Sequence, residues 1–484
     1  MGLGNRGRGL ALALIAAAAS CLQPAALTPL AAATISIPTP SIPTVDGIRA
    51  GLLAPDLAAD PVLRFGDRRT EPDRFGNLLA EAIRRHPGLA EIEASAAEAR
   101  AARSAARAGR LPSLDATMSS YRIVAREFSN DPNNIVERSR ANRRTDASVT
   151  LSQTLFDFGA GDARQDAAEA RYRAAEAGVE STADDIALRS VAVWYDVFMY
   201  RALVDMGQDF ATAQAQAIGS VRERVRQGVS AEADVVRAES YAASAEAELA
   251  RFRRSLASAE ARFVELMGVA PPPSLGRAPI ADGPGVSREA AELASSKLPS
   301  VRAAESDAEA AREDARAARA DTRFNVAANV NAGRYGVFET DKDYDVRGTV
   351  TVRQRLFGGV DSRADEAEAR ARSAEARAAR VREEARRDAA VAWTDVDALV
   401  RQLEALRASY VASRITRDVT VERFRIARGT LFDLLSTESE YFSTASAYIQ
   451  GLGELDVARY VLLSRTGRLL AGLPIELPNE ERRP

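Results

Sequence analysis

The chain has 484 residues, 46% hydrophobic, 27% charged and 6% aromatic, with a formal net charge of -3. That near balance gives no basis for nucleic-acid binding, and one cysteine with one histidine excludes a disulfide framework or a thiolate–imidazole metal cluster within one chain. Much of the apolar content is alanine interleaved with arginine and glutamate, which favours long helices because Ala costs least in a helix and Arg and Glu lose little rotamer freedom there.

Residues 1–33 read as an export signal. Arg6 and Arg8 form a basic start and Leu10 to Ala19 a short apolar run, too short to span a bilayer. Two processing readings stay open. Ala31-Ala32-Ala33 is an A-x-A cleavage site, giving a mature start near Thr34. Ala18-Ala19-Ser20-Cys21 resembles a lipobox, which would make Cys21 a lipidated N-terminus. Residues 34–71, rich in Pro and Gly, read as an irregular leader.

Residues 72–285 form a first repeat: a helix over 72–109, a β-hairpin over about 111–156, a long helix over 163–227, a helix over 231–268 and a linker over 269–285. The linker opens on Pro271-Pro272-Pro273 and would form a belt around the middle of the molecule. Residues 286–473 repeat the pattern, with a helix over 288–320, a hairpin over about 323–357, a long helix over 363–428 and a helix over 430–467. The tail 474–484 is polar and is expected to be disordered. Residues 159–268 align with 358–467 at a constant offset of 199 without a gap, setting Trp194 on Trp393, Asp234 on Asp433 and Glu239 on Glu438. Chance similarity between Ala-rich helices does not explain paired Trp, Gly and strand segments.

The strands alternate with period two. Ala147, Val149 and Leu151 interleave with Asp146, Ser148 and Thr150, and Val346, Val350 and Val352 with Arg347, Thr349 and Thr351. Phe324 to Ala332 does the same, and Leu114 to Val124 does so more weakly. A strand with one apolar and one polar face is half-buried. One reading lays the sheet on a helical domain in water. The other puts it in lipid, where about 9–11 residues cross a bilayer at a tilt. Four strands cannot close a barrel, so the lipid reading needs several chains, with eight strands in a dimer or twelve in a trimer.

In the long helices, Ile186, Val193, Val197, Tyr200 and Val204 mark one buried seam, and the remaining faces are charged, as suits a wall wetted on both sides. Trp194 and Trp393 read as packing wedges, His86 as a surface residue beside Pro87 at a helix start that Leu298-Pro299 matches in the second half, and Asp184-Asp185 as solvated. No nucleophile–base pair, phosphate loop or metal-ligand spacing is present, so neither an enzyme nor a cofactor is expected.

Over residues 74–473 the chain resembles the TolC family of outer-membrane factors. The resemblance is carried by the repeat, by the strand-to-helix joints Gln153-Thr154-Leu155-Phe156-Asp157-Phe158-Gly159 and Gln354-Arg355-Leu356-Phe357-Gly358-Gly359, and by two helical turns around Gly228 and Gly429. It implies a mainly helical fold with a small β part. In that fold a homotrimer forms a twelve-stranded barrel in the outer membrane of a Gram-negative cell, continuous with a helical tunnel in the periplasm. It also implies a periplasmic adaptor and an inner-membrane pump, of the ABC or another type, as partners. The turns Gly228, Val229, Ser230 and Ala427, Arg428, Gly429, Thr430 would be the adaptor-contacting tips, and Asp433 with Asp234 would ring the entrance. Ser436 and Arg237 stand where the family has a second acid, Gly429 where it has a gating Arg, and Ala427 where it has a Gly. The segments 430–435 and 462–470 look closer to the type I secretion branch, so a protein exit duct is the first expectation. Multidrug or metal efflux is the second, and a pore-less periplasmic scaffold the third. For Asp433 the alternative role is a helix-start carboxylate favoured by the dipole.

Overall fold

The computed structural model describes residues 59–129, 131–279, 287–340, 343–426 and 428–472. The export signal with Cys21, most of the leader, linker residues 280–286, the tip residue Ala427 and the tail 473–484 lie outside the described residues. The chain divides into two units, Met1–Ala54 and Pro55–Pro484, and every described element belongs to the second.

In the first half, α1 (Pro72–Arg85) and α2 (Pro87–Ala108) lead to strand β1 (Ser113–Arg122), a short helix α3 (Ile135–Ser139) in the loop, strand β2 (Arg143–Phe156), and helices α4 (Ala160–Arg226) and α5 (Glu232–Met267). The second half gives α6 (Arg288–Ser295), α7 (Pro299–Ala320), β3 (Asn325–Arg334), β4 (Tyr344–Arg353), α8 (Val360–Arg425) and α9 (Leu431–Arg465). With 67 residues, α4 extends roughly 100 Å at about 1.5 Å per residue.

The helices expected over 72–109 and 288–320 are each broken in two. The breaks fall at His86-Pro87 and Leu298-Pro299, because a residue before proline is driven out of the helical region. His86 adopts φ -69°, ψ 125° and caps α2, its Nδ1 accepting from the Gly88 N–H at 3.0 Å. The half-length helices stack end to end beside the long ones. An added Cβ on Gly268, just past α5, would lie 3.3 Å from the Arg85 guanidinium, and one on Gly467, past α9, 3.6 Å from Leu298.

Toward the strands, α7 lies between α4 and α8, with α2 on the far side of α4. Alanine sets these contacts. Ala160, Ala163, Ala167, Ala170, Ala174 and Ala177 are buried along α4 at alternating three- and four-residue steps, the seam of a coiled coil. Ala364, Ala371, Ala378 and Ala385 are buried on α8 at seven-residue steps, matching Val301, Ala308 and Ala315 on α7. Ion pairs flank the seam with the same period. Arg319–Glu368, Arg312–Glu375 and Glu305–Arg382 join α7 to α8, and Arg164–Asp321 and Arg171–Asp314 join α4 to α7. Both partners of each pair are exposed, where water screens the attraction, so this ladder sets register more than stability.

The main core sits midway along the long helices. Trp194, Tyr195, Phe263, Leu79, Ile83 and Tyr410 are fully buried there. The leader is not merely irregular at its end. Val62 and Phe65 enter this core, Phe65 stacking on Phe198 at 4.2 Å between ring centroids. Asp60, fully buried, accepts from the N–H groups of Val62 and Leu63 and from the Tyr410 hydroxyl, and pairs with Arg414. The linker runs beside the leader, Thr70 N–H donating to the Arg277 carbonyl and Arg277 N–H to that of Arg68. Trp194 donates from Nε1 to the Gly276 carbonyl at 2.9 Å, so it anchors the linker as well as filling space, whereas Trp393 is only partly buried. Asp184 is not simply solvated either. It accepts from the Ser464 hydroxyl, and burial pushes its carboxyl above the usual range.

The gapless offset of 199 needs correction. Gly268 and Gly467, both at positive φ, keep it, but α4 starts at Ala160 and α8 at Val360, and α8 has 66 residues against 67. One residue is therefore lost along the long helix. The two joints correspond as Phe158-Gly159 and Gly358-Gly359, each a pair of positive-φ residues.

Candidate functional site

The four strands form one antiparallel sheet in the order β1-β2-β3-β4. Residues paired directly across strands share a face. Leu151 pairs with Leu114 and Val330, Val149 with Ala116 and Ala332, and Ala328 with Val350, so one face is predominantly apolar across all four strands, with Gln153 as a polar exception beside Ala328. The other face carries Asp115, Thr117, Ser148, Thr150, Asn329, Asn331 and Thr349. Among the described residues no helix lies along the sheet, which removes the reading of a sheet resting on its own described helices. The apolar side chains stand exposed instead, Leu114 at 69%, Met118 at 62% and Val350 at 67%. Contiguous apolar surface of this kind marks a membrane or protein contact. Among the described residues β1 pairs only with β2 and β4 only with β3, leaving two ten-residue edges. In hydrocarbon each unpaired backbone group on such an edge costs several kcal/mol. Among the described residues no helix is long and apolar enough to cross a membrane.

The joints carry strand into helix. At the first, Asp157 caps α4, its carboxylate accepting from the Gly159 N–H at 3.1 Å and the Gly161 N–H at 2.7 Å. Phe158, at φ 55°, makes an edge contact with Phe324 at 4.9 Å and lies under the Arg323 guanidinium.

The two turns at the far end of the long helices are built alike. At the first, Gly228 adopts φ 72° and the Val229 N–H reaches back to the Arg224 carbonyl at 2.9 Å, the closure that suits a glycine past a helix end. At the second, the Arg428 N–H bonds the Arg423 carbonyl at 2.8 Å. An added Cβ on Gly429 would lie 3.1 Å from the Phe424 nitrogen. Val229 is 64% exposed, Ser230 and Gly429 are half-buried, and Arg428 and Thr430 are exposed.

The paired acids do different work. Asp234 reaches back to the Ala231 N–H at 3.3 Å and caps α5. At α9 that duty falls to Thr430, whose hydroxyl accepts from the Asp433 N–H at 3.1 Å. The Asp433 carboxylate is exposed and bonds to none of the described residues. The turns also hold each other. Leu431 and Leu435 of α9 pack with Val221 of α4 and Ala238 of α5. Arg224 sits over Phe424 at 5.0 Å and Arg237 over Phe432 at 5.5 Å. In the sequence Arg237 stands out only as a missing acid. The aromatic residue across the turns, Phe432, was the available signal for its contact.

With this geometry in place, the comparisons with known proteins are specific. The family model described as "Outer membrane efflux protein" matches residues 78–269 and 290–468. The outer membrane efflux protein BepC of Brucella suis biovar 1 (strain 1330) is 22% identical over 328 residues, covering 67% of this chain and 72% of that protein. Among solved structures, a membrane protein from Pseudomonas aeruginosa superposes with a TM-score of 0.73 at 22% identity, covering 81% of this chain and 93% of that one. The Campylobacter jejuni CmeC outer membrane channel gives 0.72 at 14% identity, covering 82% and 86%.

Proposed function

Because the chain belongs to the outer membrane efflux protein family, whose members are outer-membrane channels with a periplasmic helical tunnel and not enzymes, we propose that it is the exit duct of a tripartite export system, built as a homotrimer. The observation that carries this is the four-stranded sheet with an exposed apolar face and two open edges. Three copies close it into a twelve-stranded wall, β4 of one protomer against β1 of the next. The Ala-seamed helices continue as the tunnel, and the turns at 228–230 and 427–430 meet a periplasmic adaptor bound to an inner-membrane pump.

Conduction is passive. The pump supplies energy, and opening separates the packed turns at Leu435, Phe424 and Phe432. Asp433, uncommitted to any capping bond, would concentrate cations at the narrow entrance of the assembled duct. In planar bilayers the purified chain should form cation-preferring pores, and Asp433→Asn should weaken the preference while leaving assembly intact. Absence of conductance would remove the duct.

For the cargo, the efflux description of the Brucella relative weighs toward small molecules, drugs or metal ions. Protein export by a type I machine is the second reading, resting on the resemblance of 430–435 and 462–470 to that branch. Deletion of the gene separates them. Raised sensitivity to dyes, detergents or metal ions supports efflux, whereas loss of one large secreted protein supports type I secretion.

A further inference from the structure

The apolar face of the sheet changes character at its outer end, the end away from the helices. Arg122 and Arg143 are direct partners across β1 and β2, and Arg334 on β3 is the partner of Ala147. All three therefore stand on the face that carries Leu114, Met118 and Val149. Each is exposed, and among the described residues none has an ion pair. On the polar face Arg144 pairs with Asp146 and Arg347 with Asp345, while Arg353 at the end nearer the helices has no ion pair among the described residues. Glu339, which the β3–β4 loop brings to Thr145 on the apolar side, is occupied by the N–H and hydroxyl of that threonine. At the opposite end of the same face the rows Leu114–Leu151 and Phe156–Val326–Val352 carry no charge.

Like charges directly opposite on an antiparallel pair destabilise it, and guanidinium groups facing lipid need an anion. Arg is suited to phosphate because its planar fork donates two parallel hydrogen bonds. We propose that Arg122, Arg143 and Arg334 form a binding site for the phosphates of a phosphorylated glycolipid in the outer leaflet. The two levels of arginine lie four residues apart along β2, from Arg143 to Ala147, roughly 14 Å at about 3.4 Å per residue. That separation suits a disaccharide headgroup with a phosphate at each end better than a single phosphodiester. The site rests on the outer-membrane reading above, since only there does this face meet such a lipid.

The test uses the full chain in phosphatidylcholine nanodiscs with added bisphosphorylated lipid A, read by native mass spectrometry of retained lipid. The parent should retain lipid A at least about tenfold better than the triple variant Arg122→Gln, Arg143→Gln, Arg334→Gln, given the attraction of each basic side chain to an anionic lipid surface. Arg347→Gln, on the other face, should match the parent, and dephosphorylated lipid A should not be held. A parent that conducts yet retains lipid A no better than the triple variant, or holds the dephosphorylated form equally, overturns the lipid site alone. A parent that does not conduct overturns the site together with the duct.

Discussion

At the scale of single residues a buried carboxylate, Asp456, and a half-buried one, Asp184, act in different ways. Asp456 and Arg277 are 2% and 8% exposed, and the carboxylate accepts from both Nε and a terminal nitrogen of the guanidinium, the latter at 2.6 Å. This pair pins the linker to α9. Asp456→Ala leaves the guanidinium buried without its anion and should cost about 3–5 kcal/mol, seen as a lower melting temperature. An apolar replacement of both partners, Arg277→Met with Asp456→Leu, should recover much of that loss. Asp184 acts in the opposite sense. Burial raises its carboxyl, against the Ser464 hydroxyl bond that lowers it. A carboxyl raised on folding binds its proton more tightly in the folded state, so stability falls as pH rises from the ordinary carboxylate value through the raised one. Asp184→Asn should therefore raise the melting temperature above that window and leave it unchanged below. A difference independent of pH would contradict this.

Among the elements, the α7–α8 pair is the sharpest case. Its Ala seam and seven-residue ion-pair ladder specify the same antiparallel register. Glu368→Arg should lower the denaturation midpoint slightly, because an exposed pair is largely screened by water, and adding Arg319→Glu should restore it, measured as a double-mutant cycle in chemical denaturation. α9 crosses α4 more tightly still. An added Cβ on Gly453 would lie 2.7 Å from Met199 Cγ, closer than any real contact, so Gly453→Ala should cost about 1–3 kcal/mol through overpacking. The strands and long helices were legible because period-two alternation and uninterrupted helix formers are local signals. The helix starts at His86-Pro87 and Leu298-Pro299 were legible too, because proline suits the first helical position, whereas the helix-forming residues before each hid the separate short helix that ends there. The burial of Asp60 and Phe65, and the anchoring of Gly276 by Trp194, were not legible. They join segments from 82 to 350 residues apart, and nothing in the local composition of a Pro-rich stretch announces its partner.

For the whole molecule, the sequence carried the lipid-competent sheet and the need for more than one chain, but left dimer and trimer open. The structure sharpens the need without closing the wall. One chain offers four strands, a predominantly apolar face and two unpaired edges, and the turn residues Asp433 and Asp234 can form a ring only when copies assemble around an axis. The acids proved unequal, since Asp234 caps the Ala231 N–H whereas the exposed Asp433 carboxylate bonds to none of the described residues. That distinction depends on Thr430 standing where the first half has Ala231, a one-residue difference that becomes meaningful only with the cap geometry in view. The measurement that tests the account most directly is the mass of the purified full-length assembly extracted from membranes in mild detergent, by native mass spectrometry. Three chains per particle is the predicted result; a single chain that stays dispersed without detergent would contradict it.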